Sequence, residues 1–246
     1  MTVLAAALFL AGCSAHPRLG SMPSADAKIS PANFVPPDGC TLLATVSQQS
    51  CSVAQVIRCD GQPGRIEHQF IDSKLASAVE YRRGLLVTGI YKRGRDQVSL
   101  FDYHDHSEFD GVDFATSWSI ELSGVEFTKY GDGRNQSRSY TDLWTSVPTT
   151  TEIDNETIWV FDRISTFDHS DGAAVWRGRV FFHPGLGAVV GQQATADHVG
   201  RTGRRPQIDL SPVAIAKPGD QGFGSVVPGT DCPAGRPSDV DQEGLT

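Results

Sequence analysis

The sequence predicts a mainly β domain folded as one large antiparallel meander. Three observations carry this. From residue 65 onward, apolar and polar residues alternate with period two, as in Leu85–Lys92, Gln97–His104 and Ala174–His183. That spacing puts one face of a strand in a core and the other in water. Turn pairs divide the runs: Arg83-Gly84, Arg93-Gly94, Asp110-Gly111, Asp132-Gly133, Asp171-Gly172 and Pro184-Gly185. No long 3.6-residue period interrupts them, so crossover helices and a parallel sheet are excluded.

The runs give candidate strands over Ile66–Asp72, Ala78–Arg82, Leu85–Lys92, Gln97–His104, Phe114–Leu122, Val125–Tyr130, Arg138–Trp144, Thr157–Thr166, Ala174–His183, Gly187–Gln193 and Gln207–Ile215. Strand twist makes so many strands curl, close or split. The expected form is a curved open sheet or half-barrel with an apolar concave face, on which Leu86, Ile90, Trp176, Val180 and Phe182 fall. Such a face could take an acyl chain or similar molecule. Residues 41–59 stay open between a strand and a short helix. Ser52 with Gln55 matches a capping box, and Val53, Val56 and Ile57 share a helical face. A helix over 53–58 would cover part of the concave face. Trp118, Trp144, Trp159 and Trp176 are expected in the core.

The N-terminus carries a different signal. An apolar run from Val3 to Leu10 ends in Leu10-Ala11-Gly12-Cys13. A large aliphatic residue, two small ones and a cysteine resemble the lipobox of bacterial lipoproteins at every position. The departure lies upstream, where Met1-Thr2 lacks the Lys or Arg of a signal peptide. The resemblance implies that residues 1–12 are a removed signal peptide and that Cys13 is acylated (palmitate included). Ser14, rather than Asp, then implies the outer membrane, with the chain facing the periplasm. A membrane-spanning helix is the weaker reading, because Ser14, His16, Pro17 and Arg18 stop the run short of about twenty apolar residues. Residues 13–38, with Pro17, Pro23, Pro31, Pro36 and Pro37, read as a tether; 39–233 as the β domain; and 234–246 as a disordered acidic tail.

There are 5 cysteines. With Cys13 committed to lipid, Cys40, Cys51, Cys59 and Cys232 remain, an even number that implies two disulfides in an exported chain. Three pairings are open. The preferred one joins Cys59 to Cys232 and Cys40 to Cys51. Whichever holds, Cys232 staples the end of the domain to its start, worth about 4–5 kcal/mol.

A second resemblance lies in Ala174–Val190, AVWRGRVFFHPGLGAVV. It is similar to the closing hairpin of uncharacterised periplasmic proteins with an open barrel like the LolA/LolB lipoprotein carriers. It covers Ile158 to Gly191. It implies a concave face that binds lipid or another apolar molecule.

The net charge of −8 excludes a nucleic-acid binder, which needs clustered Lys and Arg. Nucleophile elbows, H-E-x-x-H, P-loops and dinucleotide fingerprints are absent from the sequence. One run suggests metal. If Phe101–Asp110 is extended, Asp102, His104, His106 and Glu108 share a face and could hold zinc or another divalent ion, with His68, His169 or His183 completing the site. The leading expectation is a non-catalytic, membrane-anchored envelope protein without a cofactor, binding an apolar small molecule or an envelope protein. The rivals are a metal-dependent hydrolase built on His104 and His106, and a purely structural interaction module.

Overall fold

In the computed structural model, residues 39–60, 64–169, 172–198 and 207–228 are described. They form strands β1 (Cys40–Gln48), β2 (Val53–Cys59), β3 (Arg65–Ile71), β4 (Lys74–Arg82), β5 (Leu86–Lys92), β6 (Gln97–Tyr103), β7 (Trp118–Lys129), β8 (Asn135–Ile153), β9 (Glu156–His169), β10 (Gly172–His183), β11 (Ala188–His198), β12 (Gln207–Leu210) and β13 (Pro212–Ala216). A one-turn helix, α1 (Ser107–Asp110), lies between β6 and β7.

All the strands join one antiparallel sheet in the order β12-β11-β10-β9-β8-β7-β6-β5-β4-β3-β2-β1-β13. The two outermost strands are consecutive in the chain, with only Ser211 between them. β12 pairs with β11, and β13 pairs with β1. One segment therefore lies along both margins, and the sheet is bent round into a nearly closed barrel. Gly191 makes this approach feasible: a Cβ there would lie 2.3 Å from the Leu210 carbonyl oxygen and 2.7 Å from Pro212.

The antiparallel meander is as expected, and the open readings resolve toward strand. Residues 53–59 are β2, hydrogen-bonded on both sides, and not a helix. The expected strands Phe114–Leu122 and Val125–Tyr130 are one strand, β7, because Ser123-Gly124 continues the ladder with β8. Phe114 itself lies in the preceding loop. Two tight turns come from polar pairs with positive φ, Asp72-Ser73 (49° and 61°) and Asp154-Asn155 (51° and 63°). Asp and Asn tolerate this left-handed region better than bulkier residues.

Cys40 and Cys59 are bonded to each other across the β1–β2 pair, Cα atoms 4.0 Å apart. This overturns the pairing of Cys59 with Cys232 and Cys40 with Cys51. Once residues 53–59 form a strand, register sets Cys40 opposite Cys59 in a single hairpin. Cys51 is disulfide-bonded too. Cys13, Cys232, the leader, the tether and the acidic tail lie outside the described residues.

Alternation sorts the side chains into two faces. Inward, a large cluster joins Tyr81, Leu86, Tyr103, Ile120, Leu122, Tyr140, Trp144, Phe161, Val180, Phe182 and Val189. Beside it, Ala44, Val46, Ala54, Val56, Ile158, Val190 and Ile215 pack tightly where β11 approaches β2. Outward, residues 217–228 fold back over β1 and β2. There Gly224 N–H donates to Thr45 Oγ1 (2.9 Å) and the Gln55 amide donates to the Gly224 carbonyl (3.3 Å).

Candidate functional site

In a meander the turns alternate between the two ends of the barrel, and one end is plugged. The β6–β7 connection, residues 104–117, crosses it and buries Phe109 completely. Phe114 packs on Trp118, Phe161 and Phe182 at ring separations of 5.8, 6.0 and 5.5 Å. Two arginines of the β4–β5 turn hold the plug. Arg82 binds both Asp110 carboxylate oxygens (2.9 and 2.7 Å). Arg83 donates to the carbonyls of Asp110 and Val112 (3.0 Å each) and lies over the Phe114 ring at 4.5 Å. Nearby, Val189 N–H donates to the Gly84 carbonyl (2.9 Å), tying the β10–β11 turn to the β4–β5 turn.

Midway along the interior sits a polar group that the expectation of an apolar concave face did not include. Asp142, fully buried, accepts two bonds from Arg163 (3.2 and 2.7 Å). Arg163 lies 4.9 Å over the Trp144 ring. Burial, the largest single effect, works against the Arg163 charge, but Asp142 together with Tyr103 and Tyr81 outweighs it and the guanidinium is held above its ordinary range. Tyr103 donates to the Val87 carbonyl (3.0 Å), and its ring meets Tyr140 edge-on at 5.2 Å. Burial pushes both phenols up. Tyr81 donates to Glu67 Oε2 (3.2 Å). Desolvation raises the Glu67 carboxyl to about 7, against the smaller opposing effect of that hydrogen bond. Tyr81 on β4 feels the charge of Arg163 on β9. Four strands separate β4 from β9 in the sheet, so this influence acts across the interior.

Towards the other end, a second polar row lines the inner face of β5 to β8. Arg138 pairs with Glu126, and Thr128 donates to the same carboxylate (3.2 Å). Ser99 bonds Thr128 (2.8 Å), and Gln97 Nε2 donates to Ser99 (3.3 Å). Lys92, the cross-strand partner of Gln97, points the same way. Burial lowers its ammonium to about 8, with Glu126 opposing. Arg138 lies 4.5 Å over Phe167. Here Val79, Ile90, Phe101 and Phe167 belong to the inward cluster but are only partly buried. Partly buried members of this cluster also stand at the plugged end, where they are Val112, Phe114, Trp118 and Trp159.

The proposed metal ligands are not brought together. β6 ends at Tyr103, because the chain must leave the sheet to carry Phe109 into the core. Asp102 is exposed on the outer face, and His104 and Glu108 are exposed in the connection. His106 Nδ1 lies 3.1 Å from Asp110, which Arg82 already binds. Among the described residues no three His, Cys, Asp or Glu side chains form a group able to hold a metal. His68 meets Phe70 edge-on. His183 is buried with Nε2 3.2 Å from Glu156, and burial lowers its pKa. The His169 side chain lies outside the described ones. Of the tryptophans, Trp144 is fully in the core, Trp118 and Trp159 pack against it partly buried, and Trp176 is half-buried.

The sequence reading missed Glu67, Asp142, Arg163, Glu126 and Arg138. A signal was present. Tyr140-x-Asp142-x-Trp144 and Phe161-x-Arg163-x-Ser165-x-Phe167 put a charge in period two with aromatics, so each charge had to point where the rings point.

The fold and site define a class, a nearly closed antiparallel β-barrel plugged at one end with ion pairs in its interior. No protein-family model, no curated protein and no solved structure matches the chain.

Proposed function

We propose that this chain is a lipid-anchored binding protein of the bacterial envelope, non-catalytic, which takes a small, largely apolar molecule into the barrel from its unplugged end. The observation that carries the reading is the incomplete burial of Val79, Ile90, Phe101 and Phe167, which face inward yet keep exposed surface. Apolar side chains left accessible inside a sheet are the walls that small-molecule sites use. The interior polar pairs supply the few oriented groups such sites also need. The lipobox at Leu10–Cys13 supports anchorage of Cys13 in a membrane, and Ser14 supports the outer one. The bonded cysteines, Cys40, Cys51 and Cys59, fit an oxidising compartment such as the periplasm. The test is uptake of a neutral apolar fluorophore, N-phenyl-1-naphthylamine, by the purified chain, with native mass spectrometry for any co-purified molecule. Saturable enhancement that Phe101→Asp abolishes is expected. Non-saturable fluorescence with no bound mass would count against it.

A further inference from the structure

Tyr140 faces inward from β8 and is 2 % exposed, yet among the described residues its hydroxyl has no hydrogen-bond partner. Tyr103, whose ring meets it edge-on, gives its own proton to the Val87 carbonyl (3.0 Å). Asp142, the next inward residue of β8, has both oxygens engaged by Arg163. Trp144, the one after it, is 1 % exposed, and its indole Nε1–H is likewise without an acceptor. Each unmet group of this row therefore has a proton to give. Arg163 faces inward midway along β9 and binds Asp142 through Nε and Nη2, but its side chain keeps 17 % of its surface exposed. The interior is thus accessible as deep as this row. The Tyr140 ring meets Phe101 edge-on at 5.3 Å and stacks on Phe167 at 6.0 Å. Both phenylalanines belong to the inward cluster and are only partly buried.

We infer that the molecule taken into the barrel is a neutral carbonyl compound with an apolar body, its oxygen accepting the Tyr140 proton and its body lying against Phe101 and Phe167. This rests on the lumenal-binding reading above and names the ligand's chemistry. A buried hydroxyl without a partner costs free energy. A carbonyl oxygen removes that cost, and a hydrocarbon of the same shape leaves it in place. An alcohol or amine brings a further donor into a row whose unmet groups are already donors. A carboxylate would be buried beside the Asp142 carboxylate, and its desolvation is far more costly than that of a neutral oxygen.

The experiment is titration calorimetry of the full chain with acetophenone and with α-methylstyrene, which carries C=CH2 in place of C=O at nearly the same shape. The quantity read is the ratio of the two affinities, in the parent chain, in Tyr140→Phe and in Tyr91→Phe. Tyr91 is the control, because it packs with Ala78 and Val98 on the opposite face of β5 from Ile90. The ratio should shift against acetophenone by about tenfold in Tyr140→Phe and stay as in the parent in Tyr91→Phe. Urea unfolding of the ligand-free proteins gives a second readout. A hydroxyl without a partner predicts that Tyr140→Phe is at least as stable as the parent. A ratio that does not move in Tyr140→Phe would overturn the carbonyl inference and leave lumenal binding standing. A loss of stability in ligand-free Tyr140→Phe would show that the hydroxyl is already satisfied, and would overturn it as well. If neither probe binds while the neutral fluorophore does, the carbonyl ligand is refuted. If nothing binds, both readings fall.

Discussion

Arg163 and Asp142 form a two-pronged ion pair inside the barrel, joining β9 to β8 with the carboxylate fully buried. Burying both charges costs solvation that the pair recovers only while both members are present. Asp142→Ala should therefore leave an uncompensated guanidinium and destabilise the fold by about 3–5 kcal/mol. The double replacement Asp142→Ala with Arg163→Met should cost much less than the sum of the single changes. Urea unfolding of the four proteins in this cycle measures it, and additive costs would show the pair to be unimportant.

Glu67 makes stability depend on pH. Its carboxyl is raised in the folded chain from 4.5 to about 7, chiefly by desolvation. Between those values the folded state holds a proton that the unfolded state has lost. Stability is thus fully present below about pH 4.5 and declines as pH rises towards 7. The slope from this one group amounts to about 3 kcal/mol over that window. Glu67→Gln keeps a partner for Tyr81 and removes the titration. The difference between parent and variant, measured by urea unfolding at pH 5 and pH 8, should favour the parent more at pH 5. A pH-independent difference would contradict it.

These two sites also show where sequence reading reaches its limit. The antiparallel meander was legible because period two repeats over many runs and needs no partner to be seen. The closure was not. Gln207–Ile215 reads as one strand, and only the pairing of β12 with β11 and β13 with β1 reveals that it serves two margins. Glu67 sits in Ile66-Glu67-His68, where both faces of β3 are buried, so alternation gives no warning of a buried carboxyl. The histidines misled for the opposite reason. Alternation over Asp102–Glu108 is real in the sequence, but burial of Phe109 outweighs continuation of the strand.

Gly84 tests the seal at the plugged end. Its φ is +71°, and a Cβ there would lie 1.8 Å from the Gly187 carbonyl oxygen. Gly133 has a similar φ of +87° with nothing within 4 Å. Gly133→Ala should then cost only the backbone strain, about 1–2 kcal/mol. Gly84→Ala adds a backbone collision and threatens the Val189 to Gly84 hydrogen bond, so its cost should exceed that of Gly133→Ala by about 1–3 kcal/mol. Thermal unfolding of the two variants compares them, and equal losses would mean that the turns do not touch.

The cysteines tie the proposed anchor to the fold. Cys40–Cys59 closes a loop with a sequence separation of 19, worth about 3 kcal/mol in the chain-entropy account. Cys51 is bonded as well. Of the five cysteines this leaves Cys13 and Cys232 as its candidates. An acylated Cys13 has no thiol to give, so a lipoprotein requires Cys51–Cys232. The return of residues 217–228 over Thr45 and Gln55 brings the chain back to the β1–β2 hairpin whose turn holds Cys51. Non-reducing peptide mapping of the oxidised full chain should find Cys51 joined to Cys232, and palmitate labelling should disappear in Cys13→Ser. A Cys13–Cys51 peptide, or labelling that persists in the variant, would exclude the lipid anchor.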